Sequence, residues 1–501
     1  MKKWLSLLLV LCLLASMNVV LAEEAPTEIA AAAAEEEPLS ITRHSAEIDG
    51  QTINYTATTG RLSVMVNDSL CEMFFTAYTM DGVEDVTQRP VTFAFNGGPG
   101  SASLWLHLGM LGPRRVDVNE DGEPTQLPVR LVDNPCSILD MTDLVFIDPV
   151  GTGYSRPVEG VDPVVFYTYE DDIDSVGEFI RLYTTRNGRW GSPKYVAGES
   201  YGTTRAVGVS SYLSQRYGMG LNGVMLISCV NDFSLLMESS ELSDDLTYAL
   251  YLPTYAAIAR YHGVLDEAYQ SMPLEDFLDE VRDFAGGEYQ AALFKGARLT
   301  EAELDDVAGK VAAYIGYSKE DVKQSNLRIY IDDFCSCLLK AQKLMVGRLD
   351  GRFTGPITAG NLGSGEADPS DAVISDAFGT AINQYIDGEL DYHTNLIYEC
   401  MSIDVISNWK YDLDNATLDQ KTIINSLMSR NRSLKLWVLC GYYDLATPFF
   451  PAEYTYDHIF LKPEARENLS FTYYPSGHMI YMHQPSLEQF RRDAEAWYKG
   501  K

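Results

Sequence analysis

Across residues 41–79 apolar and polar positions alternate, as in Ile53-Asn54-Tyr55-Thr56 and Val64-Met65-Val66. That period predicts antiparallel strands joined as hairpins, with Asp81-Gly82 as a turn. Further along, the alternation gives way to short apolar runs: Pro90-Val91-Thr92-Phe93-Ala94-Phe95, Leu144-Val145-Phe146-Ile147-Asp148, Lys194-Tyr195-Val196-Ala197, Gly223-Val224-Met225-Leu226-Ile227 and Leu434-Lys435-Leu436-Trp437-Val438-Leu439. Runs of this length suit strands covered on both faces. Helical stretches lie between several of them, for example 169–184 and 204–217, and a strand is expected at 469–474. Buried strands alternating with helices predict an α/β fold with a mostly parallel central sheet. Residues 233–400 are mostly helical in pattern, as at 250–261, 274–284 and 300–314, and they separate two strands of the sheet. They read as an inserted helical subdomain, or lid, dividing a core made of residues 39–232 and 401–501.

The ends and the composition narrow the class. Lys2 and Lys3, an apolar run over residues 5–14 and Val20-Leu21-Ala22 form an export signal, expected to be cleaved after residue 22. Residues 23–38 are rich in Ala and Glu and read as a flexible linker. The expected destination is the periplasm or the extracellular space, with no membrane span in the mature chain. Of 501 residues 46% are hydrophobic, enough for a large core, and the formal charge of −33 opposes nucleic acid as a partner. Besides Cys12, the cysteines are Cys71, Cys136, Cys229, Cys335, Cys337, Cys400 and Cys440. In an oxidising compartment one or two disulfides are expected among these seven, with at least one thiol left free. No metal or organic cofactor is implied.

Gly198-Glu199-Ser200-Tyr201-Gly202 lies between a predicted strand and a predicted helix and has the G-x-S-x-G pattern of a nucleophile elbow. Its glycines permit a turn so sharp that side chains would collide, which leaves the serine hydroxyl exposed. A serine needs a base, and in this topology the acid and then the histidine follow it in the chain. Among seven histidines, His478 in Ser476-Gly477-His478-Met479 follows a late strand and is the candidate base, with His483 as its competitor. Asp444 stands just past another strand, in Cys440-Gly441-Tyr442-Tyr443-Asp444, where it could orient the imidazole. The loop Asn96-Gly97-Gly98-Pro99-Gly100 can bring a backbone N–H close to a developing oxyanion, and the N–H of Tyr201 supplies another. Tyr201, Tyr442 and Tyr443 are candidates for the pocket wall.

Taken together with Phe146-Ile147-Asp148-Pro149-Val150-Gly151-Thr152-Gly153-Tyr154-Ser155, these segments resemble the serine carboxypeptidase family of the α/β-hydrolase fold. The resemblance runs from about residue 90 to the C-terminus. It implies Ser200 as nucleophile, Asp444 as orienting acid and His478 as base, with Gly98 and Tyr201 as the oxyanion donors. It also implies that Asn96, Gly97 and Glu199 bind the substrate's terminal carboxylate, so that the partners are peptide or protein C-termini. A carboxyl beside a carboxylate has a raised pKa and donates a hydrogen bond when protonated.

The chain departs from the family pattern at several positions. Ser101 stands where a Cys is usual, Ala94 where a Trp is common, and Met110 where many members have a second Glu. Tyr442 replaces an Asp, and Ile480-Tyr481 replaces Val-Pro. Loss of the second carboxyl is expected to lower the pKa of Glu199. The pattern resembles a divergent, bacterial-type member. The expected activity is that of an exported serine-type carboxypeptidase; the alternatives are an esterase or acyltransferase on the same fold, and a binding protein that has lost turnover.

Overall fold

The computed structural model describes residues 37–126, 128–237, 244–358, 368–411 and 417–500. The export signal and almost all of the linker lie outside the described residues. Residues from Leu39 to Lys501 form one compact unit.

The alternating N-terminal segment folds as expected into three long antiparallel strands, β1 (Ser40–Ile48), β2 (Gln51–Val66) and β3 (Ser69–Met80). The five apolar runs become β4 (Val91–Phe95), β5 (Asp143–Ile147), β6 (Lys194–Glu199), β7 (Gly223–Ile227) and β8 (Lys435–Gly441), and the strand expected at 469–474 becomes β9 (Leu469–Tyr474). The strand order across the sheet is β1-β2-β3-β5-β4-β6-β7-β8-β9. Strand β5 meets β3 antiparallel, and from β5 to β9 every pairing is parallel. This is the mostly parallel α/β-hydrolase sheet expected from the sequence.

Side chains along these strands alternate between two cores. Phe93, Val145, Val196 and Val224 enter one, while Ala94, Phe146, Ala197 and Met225 enter the other. Helices α1 (Tyr169–Arg186) and α2 (Tyr201–Tyr217) cover the first face. Thr168 caps α1 by accepting from the N–H of Asp171, and acidic residues fill its first turn, complementing the helix dipole.

Between β7 and β8 the chain is largely helical, with α3 (Asp245–Tyr261), α4 (Leu274–Phe284), α5 (Glu301–Ile315) and α6 (Pro369–Gly388) among its elements. It also holds a small hairpin, Leu344–Val346 with Thr354–Pro356, which the helical pattern did not reveal. The C-terminal helix α7 (Gln484–Lys499) sets Phe490 and Trp497 against Trp437 on the second face.

One sequence expectation is corrected. The seven cysteines from Cys71 to Cys440 are all free thiols, and five of them are buried. They serve as small apolar core groups. Among the described residues no helix is long and apolar enough to cross a membrane.

Candidate active site

The site lies where the sheet reverses its winding. After β4 the chain moves outward to β5 and then returns to the other side of β4 as β6, which opens a crevice at the carboxyl ends of β4 and β6. Strand register brings the loops together there. Phe95 pairs with Gly198, so Asn96 emerges beside Glu199, and Glu199 pairs with Ile227.

Ser200 occupies the turn between β6 and α2 with φ 61° and ψ −131°, a strained conformation for a non-glycine residue. Its neighbours leave no room for side chains. A Cβ on Gly198 would lie 2.0 Å from the carbonyl oxygen of Gly202, and one on Gly202 would lie 2.9 Å from that of Asn96. The same crowding explains Gly97, whose Cβ would lie 2.5 Å from the backbone N of Tyr201. Backbone replaces side chain at this contact, so the glycine loop sits directly against the start of α2. Tyr201 is the first residue of α2, so its N–H has no intrahelical partner.

His478 and Asp444 come together from the two strands beyond β7. Nδ1 of His478 donates to Oδ2 of Asp444 at 2.8 Å. The same carboxylate accepts from the N–H groups of Ala446 and Thr447 at 2.8 and 3.0 Å and from the Thr447 hydroxyl at 2.8 Å. Burial alone would disfavour both charges. The imidazole and these donors nevertheless hold the Asp444 carboxyl below its usual range, while Asp444, helped by Glu199, holds His478 above its own. The competitor His483 binds Ser486 through Nδ1 at 2.7 Å and is not in the cavity wall. His107 is buried against Tyr78 and Phe146.

Ser200, Tyr201, His478, Asn96, Gly97, Gly98 and Glu199 share the wall of one cavity of about 390 Å³. Asp444 lies behind His478, fully buried. Of the three tyrosines, Tyr201 alone reaches the cavity; Tyr442 packs on Phe449 and Tyr473.

Asn96 and Glu199 form a buried pair. The N–H of Leu106 donates to Asn96 Oδ1 at 3.0 Å, which orients the amide so that Nδ2 donates to Glu199 Oε1 at 2.8 Å. The Tyr481 hydroxyl donates to the same oxygen at 3.3 Å, whereas Oε2 of Glu199 has no hydrogen-bond partner among the described residues. Burial raises the Glu199 carboxyl to about 7, against the opposing influence of His478, Tyr481 and Asn96. This rise occurs with Met110, and not a second carboxyl, at position 110. Desolvation suffices, because Glu199 is 2% exposed.

Sequence reasoning missed the groups that hold these residues in place. Arg205 of α2 pairs with Asp172 of α1 at 2.8 Å and donates to the carbonyl of Asn96 at 2.5 Å, tying the glycine loop to both helices. Asp350, from the insertion, accepts from the N–H of Gly477 at 3.1 Å, and the N–H of His478 donates to the carbonyl of Leu349 at 2.7 Å. Only Tyr481 carried a local signal, as a departure from the pattern beside His478.

Residues 48–226 match the family model described as serine carboxypeptidase. Serine carboxypeptidase-like 36 of Arabidopsis thaliana is 31% identical over 132 residues, which cover 26% of this chain and a quarter (25%) of the relative's length. The structure of a prohormone-processing carboxypeptidase from Saccharomyces cerevisiae superposes with a TM-score of 0.56 at 17% identity, covering 89% of this chain and 92% of that one, which is a likeness of fold. The family match runs through the glycine loop, the Asp148 segment and the Ser200 elbow, and over these residues the chain is similar to the serine carboxypeptidase family.

Proposed function

We propose that the protein is a serine-type carboxypeptidase that removes C-terminal residues through an acyl-enzyme on Ser200. Ser200 Oγ attacks the carbonyl carbon of the last peptide bond, and Nε2 of His478 takes the hydroxyl proton. The N–H groups of Gly98 and Tyr201 receive the oxyanion. Collapse breaks the C–N bond, and His478 returns the proton to the leaving amine. Water then repeats the sequence and releases the shortened peptide. Asp444 keeps the imidazole oriented and stabilises its charged form.

The observation that carries this reading is the Glu199 carboxyl. It is buried in the wall of the cavity that holds Ser200, it is fixed by Asn96, and one of its oxygens has no partner among the described residues. Such a group suits a substrate carboxylate, to which it donates a hydrogen bond when protonated. An ester substrate would have no use for it. Export to the periplasm or extracellular space is part of the same proposal and rests on the character of residues 1–22; the departures at Ser101, Met110 and Tyr442 support a divergent, bacterial-type member.

The test is a pair of N-blocked dipeptides, one with a free carboxylate and one amidated, followed by mass spectrometry with Ser200→Ala as the blank. Cleavage of the free acid alone supports the reading. Equal cleavage of both, or ester hydrolysis without peptide cleavage, would point instead to an esterase or acyltransferase.

A further inference from the structure

Arg348 belongs to the insertion, and it lines the same cavity as Ser200 and His478. Its backbone is anchored on both sides. The N–H groups of Arg348 and Leu349 donate to the two oxygens of Asp368, the N-cap of α6, at 3.1 and 3.0 Å. The carbonyl of Arg348 accepts from the N–H of Leu445, next to Asp444, at 3.1 Å, and the carbonyl of Leu349 accepts from His478. The segment is therefore a fixed platform between α6 and the loops that carry the acid and the base.

The side chain on this platform is exposed, and no described carboxylate lies within ion-pair distance of its guanidinium. It is close enough to oppose the charge on His478. The other charged groups in the described cavity wall are His478, Glu199 and Asp371. Glu199 is held by Asn96 and Tyr481, and Asp371 Oδ1 accepts from the Ser375 hydroxyl at 2.6 Å. Arg348 thus offers a planar set of donors, matched in shape to a carboxylate, that no described carboxylate engages. The wall formed by Asn96, Gly97 and Glu199 already serves the substrate's terminal carboxylate in the proposed function, so a second carboxylate is the natural complement of Arg348.

We propose that Arg348 is a specificity-determining residue that takes the side-chain carboxylate of an Asp or Glu flanking the scissile bond. The proposal rests on the carboxypeptidase reading.

The experiment compares matched N-blocked dipeptides bearing Glu or Gln at the penultimate or the terminal position, assayed with wild-type protein, Arg348→Gln and Arg348→Glu. Wild type is expected to prefer Glu over Gln by roughly tenfold or more in kcat/KM at one of the two positions, the scale of a charge-assisted hydrogen bond. Arg348→Gln should bring that ratio near one, and Arg348→Glu should invert it in favour of Gln. Equal ratios in wild type and Arg348→Gln would overturn the proposal. So would a loss of cleavage in Arg348→Gln whatever the side chain, because Arg348 would then be holding the terminal carboxylate or the fold. Failure of every peptide with wild type would instead defeat the carboxypeptidase reading. Hydrolysis of the 4-nitrophenyl monoester of succinate against that of butyrate then decides for Arg348: an Arg348-dependent preference for succinate supports the role, and none ends it.

Discussion

Oδ2 of Asp350 accepts a hydrogen bond from the N–H of Gly477 at 3.1 Å, across 127 positions of the sequence and one residue before His478. Their contact is so close that a Cβ on Gly477 would lie 2.4 Å from the Asp350 side chain. The insertion therefore helps to hold the loop that carries His478. Asp350 also forms a buried ion pair with Arg352 at 2.7 Å. Asp350→Ala would leave that guanidinium buried and unpaired, a loss of about 3–5 kcal/mol. Urea unfolding should show this loss, and the folded fraction should turn over more slowly. Asp350→Asn, which keeps an acceptor, should lose less on both counts.

Glu199 should govern the alkaline side of substrate binding. Its carboxyl titrates near 7 because of burial, so the protonated form that donates to a substrate carboxylate disappears as pH rises through that value. KM for a free-acid peptide should rise above pH 7 in wild type and stay flat in Glu199→Gln, whose amide donates at every pH. The acid side should move as well. Burial works against the charged imidazole of His478, but Asp444 and then Glu199 raise its pKa, so Glu199→Gln should shift the acid limb of kcat/KM to lower pH. Parallel profiles in the two proteins would contradict both expectations.

The same carboxyl links stability to pH. The folded state keeps its proton up to about 7, whereas an unfolded chain releases it near the ordinary glutamate value. The stability tied to the bound proton is fully present below the unfolded value and is lost as pH rises toward 7. Urea unfolding at pH 5 and pH 8 should show wild type losing more stability between the two than Glu199→Gln, by roughly 2–3 kcal/mol. Asp148, which burial also raises to about 7, contributes equally to both proteins and drops out of the comparison.

Tyr481 should tune this titration without being required for it. Its hydroxyl stabilises the Glu199 carboxylate, so Tyr481→Phe should move the alkaline rise in KM to higher pH. One neutral hydrogen bond is worth about 1 kcal/mol, which limits the displacement to under about one pH unit. The ring packs against Gly109, and phenylalanine keeps that contact, so the fold should be retained in thermal unfolding.

Asp444→Asn should keep the site's shape and lose most of its rate. Its carboxylate fixes Nδ1–H of His478, leaving Nε2 to act as base, and an amide can hold the wrong tautomer. A fall in kcat of about 10⁴ with little change in KM is expected, read from steady-state kinetics on one peptide. Thr447→Val removes the hydroxyl's contacts to Asp444 and to Nδ1 of His478 but leaves the Asp444–His478 pair and the backbone N–H donor in place, and should cost far less.

Short-range pattern was enough for the strands and for the residues that must sit at their ends. Alternation gave away β1 to β3, apolar runs gave away β4 to β8, and the glycines of the elbow marked a turn whose crowding the structure explains atom by atom. Ser200, His478 and Asp444 could be read in order because each follows a strand, and in a parallel sheet strand ends lie along one edge. Asn96 and Glu199 were singled out by the family resemblance, which implies a role for them in holding a substrate's terminal carboxylate.

Which groups meet from different elements was left to the tertiary structure. Asp350 and Arg348 carry no local signal; they matter because the insertion folds back onto the loops after β8 and β9. Likewise the Glu199 pKa depends on how completely water is excluded from it, a property of the packed cavity. Spacing cannot report desolvation, so the sequence does not show how far burial raises this carboxyl. The cysteines make the same point. Their number and compartment suggested bridges, but a disulfide needs two side chains held at bonding distance and angle, and the fold sets these seven apart as packed thiols.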